Sequence, residues 1–227
     1  MKSLHLSRRL LLGAALSAVL GGCSSDNQDW VSLLQSARQA WVNRDAPVGL
    51  NEAAAVPFAT LGIRIDGGRE QILVLATDSD GERLWTSGAH VAITTRGDRI
   101  VRTAGFGTDL SAVYSVSGER DLRRASSSNR VADFRDIGRF GISITCKRTV
   151  TAYDPITILG KQFETTRIEE VCDADTVGWA FTNVFWISEK TGRVWRSIQH
   201  IHPKGPALEL EILRPPLSFI GEEQPNP

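Results

Sequence analysis

The chain is poor in the side chains on which most catalytic and metal sites depend. Its 227 residues include three cysteines, four histidines, two tyrosines and one methionine. It contains no G-x-S-x-G, H-E-x-x-H, P-loop or dinucleotide-binding glycine pattern. These absences exclude the commonest hydrolase, metalloprotease and nucleotide-binding motifs. They favour a binding or scaffold protein that has no catalytic residue and no cofactor.

The chain also lacks an excess of either charge and any long apolar run. Its 26 Lys and Arg residues balance 26 Asp and Glu residues, so a nucleic-acid partner is not indicated. The longest apolar stretch, residues 10–20, is too short to span a bilayer as a helix. We therefore expect no transmembrane helix.

The first 22 residues have the composition of an export signal. Lys2, Arg8 and Arg9 form a basic segment, the apolar residues 10–20 follow, and small residues come next. We assign residues 1–22 to a signal peptide and leave them out of the fold. Because that segment holds three basic and no acidic residues, the rest of the chain has 23 basic and 26 acidic residues.

The signal ends in a pattern typical of bacterial lipoproteins. Leu20, two glycines and Cys23 form a lipobox, in which the Cys23 thiol accepts the lipid. Such a cysteine usually carries three acyl chains such as palmitate, and two or more chains anchor a protein stably. Ser24 rather than Asp follows, which favours the outer membrane, with the protein on its periplasmic face. Arg8 and Arg9 leave export by the Sec or the twin-arginine route open.

One amphipathic helix is predicted beyond the anchor. Apolar residues at helical spacing occupy residues 27–44, from Trp30 to Trp41. The opposite face is not basic, so we expect this helix to pack on the protein rather than on a membrane surface. Residues 23–57 then comprise the lipid anchor, the helix and a connector.

From residue 58 onward the apolar period changes to two. Short alternating runs are separated by turn sequences, including Arg96-Gly97-Asp98, where a hairpin turn is favoured over an adhesion tripeptide. We expect a mainly β fold of about ten strands, an antiparallel barrel, half-barrel or sandwich, as a single domain over residues 58–214. Residues 117–130 are predicted to be a polar loop, and residues 215–227 a proline-rich tail.

Two cysteines remain after Cys23. Cys146 and Cys172 flank two strand-like runs, and a hairpin folded about residue 159 would bring them level. In an oxidising compartment such a pair favours a disulfide, the alternative being two separate buried thiols. An acidic cluster, Glu169, Glu170, Asp173 and Asp175, lies beside Cys172, and chance explains it as well as a catalytic site does.

His200 and His202 stand two apart, as two ligands on one side of a strand would. No third ligand can be identified, so we predict no metal site.

A hairpin over residues 181–203 holds the most distinctive side chains. A three-residue loop would pair Trp186 with Arg196 and place Asn183 opposite Gln199, whereas a four-residue loop would set Trp186 against Trp195. The candidate polar cluster, structural or binding, comprises Asn183, Trp186, Trp195, Arg196 and Gln199. If it binds a ligand, we expect the side bearing Asn183, Trp195 and Gln199 to do so.

These features together resemble a known family. The lipobox is followed by "VPFATLGIRI" (56–65), "ITTRGDRIVRTAGFGTDL" (93–110) and "NVFWISEKTGRVWRSIQHIHPKGPALELEILRPP" (183–216). The chain thus resembles the YjbF/GfcB family of outer-membrane lipoproteins, encoded with exopolysaccharide and group 4 capsule secretion genes. The family pattern does not call for His200 or His202, and the resemblance implies nothing about the Cys146–Cys172 pair.

The resemblance implies a non-catalytic accessory of exopolysaccharide or capsule export, acting as a scaffold or a glycan-contacting subunit. Its expected partners are an outer-membrane β-barrel protein, a periplasmic companion protein, the polysaccharide itself and the membrane through the lipid anchor. Two other hypotheses stay open. One is a half-barrel module that binds a lipid or acyl chain, and the other is a periplasmic glycan-modifying enzyme.

Overall fold

A computed structural model of the protein describes residues 48–88, 90–117, 122 and 126–217. The signal peptide, Cys23 and the helix predicted over residues 27–44 lie outside the described residues. The elements are α1 (Leu50–Ala55), β1 (Thr60–Ile65), β2 (Gln71–Ser79), β3 (Glu82–Thr86), β4 (Ala92–Arg96), β5 (Arg99–Ala104), β6 (Ala112–Ser117), β7 (Ser127–Phe134), β8 (Arg139–Tyr153), β9 (Ile156–Ile158), β10 (Lys161–Phe163), β11 (Thr166–Ala174), a 3₁₀ turn (Asp175–Val177), β12 (Trp179–Ile187), β13 (Val194–His200) and β14 (Ala207–Arg214). No helix in this part of the chain has the length and apolar character needed to cross a membrane.

Twelve of the strands form one antiparallel sheet. Their order across the sheet is β5, β4, β3, β2, β1, β14, β13, β12, β11, β8, β7, β6. Most neighbours are consecutive in the chain and joined by short turns, and the β1–β14 pair joins the two ends of the domain. Such a chain of hairpins follows from short alternating runs separated by turn residues.

The alternating pattern places one face of each strand in the interior. In β8, Ile142, Ile144 and Cys146 are buried while Ser143 and Thr145 between them are exposed. The core draws such inward side chains from strands across the whole sheet. Because side chains alternate strictly along a strand, each apolar run commits one face to the core and the other to solvent.

The sheet curls until its two edge strands, β5 and β6, lie side by side. The Thr103 amide donates to the Leu110 carbonyl at 2.9 Å, and the Asp109 carboxylate organises the connecting loop through the Thr103 hydroxyl and the Gly105 amide. Gly105 has φ +90°, and a Cβ there would collide with the His90 carbonyl. The sheet is therefore nearly closed, with a seam between β5 and β6.

The predicted mainly β antiparallel architecture is confirmed, and its strand list needs two corrections. The large sheet alone has twelve strands, against a predicted total of about ten, and β6 is a strand that the sequence pattern does not predict. The region 117–130 is not all loop, since β7 begins at Ser127 and buries Ser128 and Arg130. Within that region, the Ser128 hydroxyl and the Arg130 guanidinium are bonded to the Glu170 carboxylate in the interior.

The tip of the predicted cysteine hairpin forms a second, smaller sheet. β8 and β11 pair directly, and between them β9 and β10 form a two-stranded sheet that turns at Leu159 and Gly160. Ile156 and Ile158 of this small hairpin are buried against Trp195. The tip thereby covers an apolar patch of the large sheet.

Cys146 and Cys172 occupy directly opposite positions on β8 and β11, and their sulfur atoms are bonded in the structure. Both residues are buried, with exposures of 0% and 1%. The bond crosses two strands that are already hydrogen-bonded to each other. It therefore fixes the register of β8 against β11.

We expect reduction of this disulfide to destabilise the fold by about 2–4 kcal/mol, the typical contribution of a bridge that closes a loop of this length. Dithiothreitol should lower the midpoint of thermal unfolding of the parent protein. It should leave the double variant Cys146→Ser, Cys172→Ser unchanged, because that variant has no bridge to lose. Equal sensitivity of both proteins to reductant would contradict a bridge between these two cysteines.

Candidate functional site

Glu170, on β11, is the centre of a buried polar network inside the curled sheet. Its side chain is fully buried, and three guanidinium groups surround its carboxylate. Arg99 binds both oxygens, at 2.8 and 2.6 Å, while Arg148 Nε donates at 2.9 Å and Arg130 Nη1 at 3.3 Å. Asn183 Nδ2 adds a fifth contact at 3.2 Å.

The network joins strands from both ends of the sheet. Arg99 lies on the edge strand β5, while Arg130 and Arg148 lie on β7 and β8, near the other edge. Glu170 is therefore bonded across the interior to strands on each side of the seam. The ion pairs reinforce the closure that the β5–β6 contact begins.

The charge state of Glu170 follows from these neighbours. Burial alone would raise the pKa of Glu170, but the charges of Arg99 and Arg130 and the hydrogen bonds from Arg99 and Arg148 outweigh it. They hold the pKa of the carboxyl far below its ordinary range. Glu170 is therefore ionised at neutral pH.

Asn183 of the predicted cluster belongs to this network. It is 2% exposed, donates to Glu170 and accepts the His200 amide at 2.9 Å. The side chain thus replaces a backbone ladder bond where β12 and β13 diverge. The nitrogen of its side-chain amide bonds to Glu170, and the oxygen bonds to β13.

Gln199 spans the interior from β13 to the edge strand β5. Its Oε1 accepts the Ile100 amide at 3.1 Å, and its Nε2 donates to the Asp98 carbonyl and to the Ser197 hydroxyl, both at 2.9 Å. The side-chain amide therefore pairs with a backbone donor of β5 and with a backbone acceptor in the turn just before it, as a neighbouring strand would. Asn183 and Gln199 lie in the interior but bond to different partners.

The β12–β13 hairpin combines the two predicted registers. Trp186 pairs with Arg196, as a three-residue loop requires, whereas Ile187 pairs with Val194, as a four-residue loop requires. The Ser188 amide donates to the Arg193 carbonyl at 2.8 Å and closes the loop. An extra residue, Trp195, forms a β-bulge between the two registers.

Trp195 is the cluster member that lies among apolar residues. Its ring packs against that of Phe163 in a tilted arrangement with centroids 4.1 Å apart, and it shares a buried cluster with Ile156 and Ile158. At 9% exposure it has little surface to offer a ligand. The β9–β10 hairpin thus covers the indole ring of Trp195, a residue of the side predicted from the sequence to bind a ligand.

Trp186 and Arg196 lie together, apart from the Glu170 network. The Trp186 indole donates to Asp154 at 2.8 Å, and the guanidinium groups of Arg196 and Arg167 lie 5.7 and 6.0 Å from its ring centroid. Arg196 Nε also donates to Glu211 at 2.5 Å. These contacts stabilise β11, β12, β13 and β14 against one another and leave Trp186 only half-buried.

The histidines and the acidic residues do not form a metal or catalytic constellation in the described chain. His202 Nδ1 accepts the Lys204 amide at 3.0 Å and its Nε2 faces Asp136 at 3.1 Å, while burial lowers the pKa of His200. Within the described residues, the group with metal-ligand spacing is Cys146, Glu170 and Cys172, and both of its sulfur atoms belong to the disulfide.

The four acidic residues near Cys172 have different surroundings in the fold. Glu170 is enclosed by arginines, and Glu169 pairs with Arg167 at 2.7 Å. The hydrogen bond between Asp173 and Asp175, at the exposed end of β11, raises the pKa of Asp173, and slight burial and the Asp175 charge add to the effect.

The central residues of the network were not identified as a group from sequence. Arg99 and Glu170 lie 71 positions apart, Arg130 and Glu170 40 apart. One local signal was available, because Arg130, Arg148 and Glu170 occupy positions that alternate in phase with buried apolar neighbours. A charged residue in an inward position predicts a buried ion pair.

Asp98, in the turn between β4 and β5, is a further carboxyl whose pKa is shifted. Burial raises its pKa to about 6, although Arg83, Arg99 and Arg193 act in the opposite direction. The turn is thus a hairpin turn, as predicted, and it is held from the interior by Gln199 through the Asp98 carbonyl.

These features define a class of protein that has a single curled antiparallel sheet, with buried ion pairs linking strands across its interior. Its fold is similar to the crystal structure of the hypothetical lipoprotein YmcC from Escherichia coli (K12). The TM-score is 0.66 at 20% identity, covering 84% of this chain and 98% of that one.

Residues 15–213 match the family described as group 4 capsule polysaccharide lipoprotein gfcB, YjbF, and the chain belongs to this family. A relative, the uncharacterized lipoprotein GfcB of Escherichia coli (strain K12), is 22% identical over 214 residues, which are 91% of this chain and 99% of the relative. The resemblance seen in the sequence is thereby confirmed.

We expect Glu170→Gln to destabilise the protein by about 3–5 kcal/mol, because it leaves buried guanidinium charges without their carboxylate. Urea unfolding followed by circular dichroism measures the change. The matched control is Glu169→Gln on the same strand, which removes a partly exposed ion pair and should cost less than about 1 kcal/mol. Equal losses in the two variants would show that the buried network is not the stabilising element.

Asp98 should make stability depend on pH. Its ordinary pKa is 3.8 and its folded value about 6, so between these values the folded state binds more protons than the unfolded state. Stability should therefore fall as pH rises from about 4 to 6. In Asp98→Asn this contribution should disappear, whereas Asp66→Asn, in the exposed β1–β2 turn, should keep it. Parallel pH profiles for the parent and Asp98→Asn would contradict the assignment.

Proposed function

We propose that the protein is a non-catalytic, lipid-anchored subunit of a capsule or exopolysaccharide export system at the outer membrane. The observation that carries the proposal is the family match over residues 15–213 to the group 4 capsule polysaccharide lipoproteins. The protein would act as a scaffold or as a glycan-contacting subunit. Its partners would be an outer-membrane barrel protein and a periplasmic companion of the export system.

The filled interior supports this role over a lipid-binding module. The cavity bounded by Leu61, Trp85 and Leu210 holds about 40 Å³, and the cavity beside Phe134 and Asn183 holds about 20 Å³. A single water needs about 10–15 Å³ by the same measure, so these spaces are far too small for an acyl chain. Buried apolar side chains from strands across the whole sheet fill the core around them.

The geometry of the acidic residues gives no support to a glycan-modifying enzyme. A glycosidase holds two carboxyl groups across an open cleft. Glu170 is fully buried against three arginines, and Asp173 and Asp175 bond to each other at an exposed strand end. The described surface therefore favours binding over hydrolysis.

The proposed anchor is Cys23, acylated after removal of residues 1–22. Several acyl chains on one cysteine hold a protein stably on a membrane. Ser24, following the cysteine, supports delivery to the outer membrane, and the periplasmic face suits contact with polymer before it leaves the cell. The anchor would keep the curled sheet beside its export partner.

Deletion of the gene should abolish or strongly reduce secreted polysaccharide under conditions that induce its synthesis. Re-expression of the parent protein should restore secretion. Cys23→Ser, which cannot be acylated, and Ser24→Asp, which should retain the lipoprotein in the inner membrane, should not. The measurement is polymer recovered from the medium, with immunoblots to show equal protein levels.

Chemical crosslinking of the lipidated protein in intact outer membranes should also recover a barrel protein. Normal secretion by the deletion strain would refute the proposed role. Normal secretion with Cys23→Ser alone would remove the anchor from the mechanism and leave the export role in place.

A further inference from the structure

An open groove crosses the outward face of strands β2 to β5. It holds about 570 Å³, against 40 and 20 Å³ for the two interior spaces, and is in the size range of ligand sites. Aligned residues of neighbouring strands form its rows. One row is Thr77, Leu84, Thr94 and Arg102, a second is Ser79, Glu82 and Arg96, and a third contains Ala92 and Ala104.

The groove exists because small side chains form its floor. Ala92 and Ala104 pair with each other at one end, and Thr94 lies at the centre. Although Thr94 is on the outward face, it is only 8% exposed. Its cross-strand neighbours, Leu84 and Arg102, carry larger side chains, which accounts for the low exposure of Thr94.

Two guanidinium groups border the groove, and both are held in place. Arg102 is exposed, and its Nε donates to the Ser111 carbonyl at 3.3 Å. Its terminal nitrogens make no ion pair with any carboxylate in the described ranges. Arg96 is fixed by Glu82, through Nε at 3.1 Å and through Nη2. Groups held in this way lose little freedom when they bind a ligand.

The lining favours a polar, hydroxyl-rich ligand. The far end carries the Ser79 hydroxyl, bonded at 3.2 Å to Asp80, and both accept hydrogen bonds readily. Leu84 is the largest apolar residue in the lining, whereas protein interfaces are centred on aromatic and large apolar anchors. Arg102 presents guanidinium donors suited to a carboxylate, and the Ser79 end presents acceptors suited to sugar hydroxyls.

We propose that this groove binds a segment of an acidic polysaccharide, with an acidic substituent at Arg102 and hydroxyl groups toward Ser79 and Asp80. The inference rests on the proposed function, and it adds the ligand class and its site. The site lies outside the β12–β13 hairpin, where Asn183, Trp195 and Gln199 make contacts within the protein.

Isothermal titration of the full-length protein in detergent against polysaccharide purified from the cells that make it tests the site. Arg102→Gln should weaken binding about tenfold, the effect of losing a charged hydrogen-bonding group. Ala104→Phe should weaken it at least as much, because the ring fills the floor, and Phe suits a strand. Arg69→Gln, at an exposed arginine in the β1–β2 loop, is the matched control and should bind normally.

The ligand side is tested with the same polymer after its carboxyl groups are reduced to alcohols. The parent protein should bind this polymer about as weakly as Arg102→Gln binds the native one. Undiminished binding by Arg102→Gln and Ala104→Phe, both folded by circular dichroism, would overturn the site, as would no binding by the parent protein.

Secretion assays separate the two proposals. If the deletion strain loses export but both groove variants restore it, the subunit role stands and the groove proposal fails. If deletion leaves export unchanged, the role itself fails whatever the groove binds.

Discussion

A carboxylate removed from water must be compensated by positive charge, and the compensation of Glu170 joins parts of the chain that no turn connects. Arg99 reaches it from one edge strand of the sheet, and Arg130 and Arg148 reach it from the opposite side. Apolar contacts alone would fill this interior without specifying which strand faces which. The directional bonds to Glu170 add that specificity, because each guanidinium fits one strand and one register.

The sequence predicted what depends on local pattern. Alternating runs indicated the antiparallel strands, and the spacing of Cys146 and Cys172 about residue 159 placed them level on β8 and β11. The buried network escaped prediction because its charges are 22 to 71 positions apart and each resembles a surface residue in its own stretch. The bulge at Trp195 was not predicted, because each possible loop length implies a single register and the hairpin uses both.

The most conspicuous residues of the β12–β13 hairpin and the proposed binding groove lie in different places for a physical reason. Asn183 forms its hydrogen bonds with Glu170 and β13, and Gln199 bonds to β5. Trp195 is covered by the β9–β10 hairpin. Amides satisfied in this way have little left for a ligand. The groove over β2 to β5 is lined mostly by serine, threonine and alanine, which form no recognisable sequence motif. Only the folded arrangement of the strands makes it a concave surface.

The pairing of Gln199 with β5 bears on how the protein behaves at high density. An edge strand exposes backbone donors and acceptors that can recruit a strand from another molecule, which is a common start of aggregation. Gln199 occupies the Ile100 amide and the Asp98 carbonyl from within. Lipoproteins confined to one membrane face meet each other often, and a side chain that mimics a partner strand keeps this edge from joining sheets between neighbours.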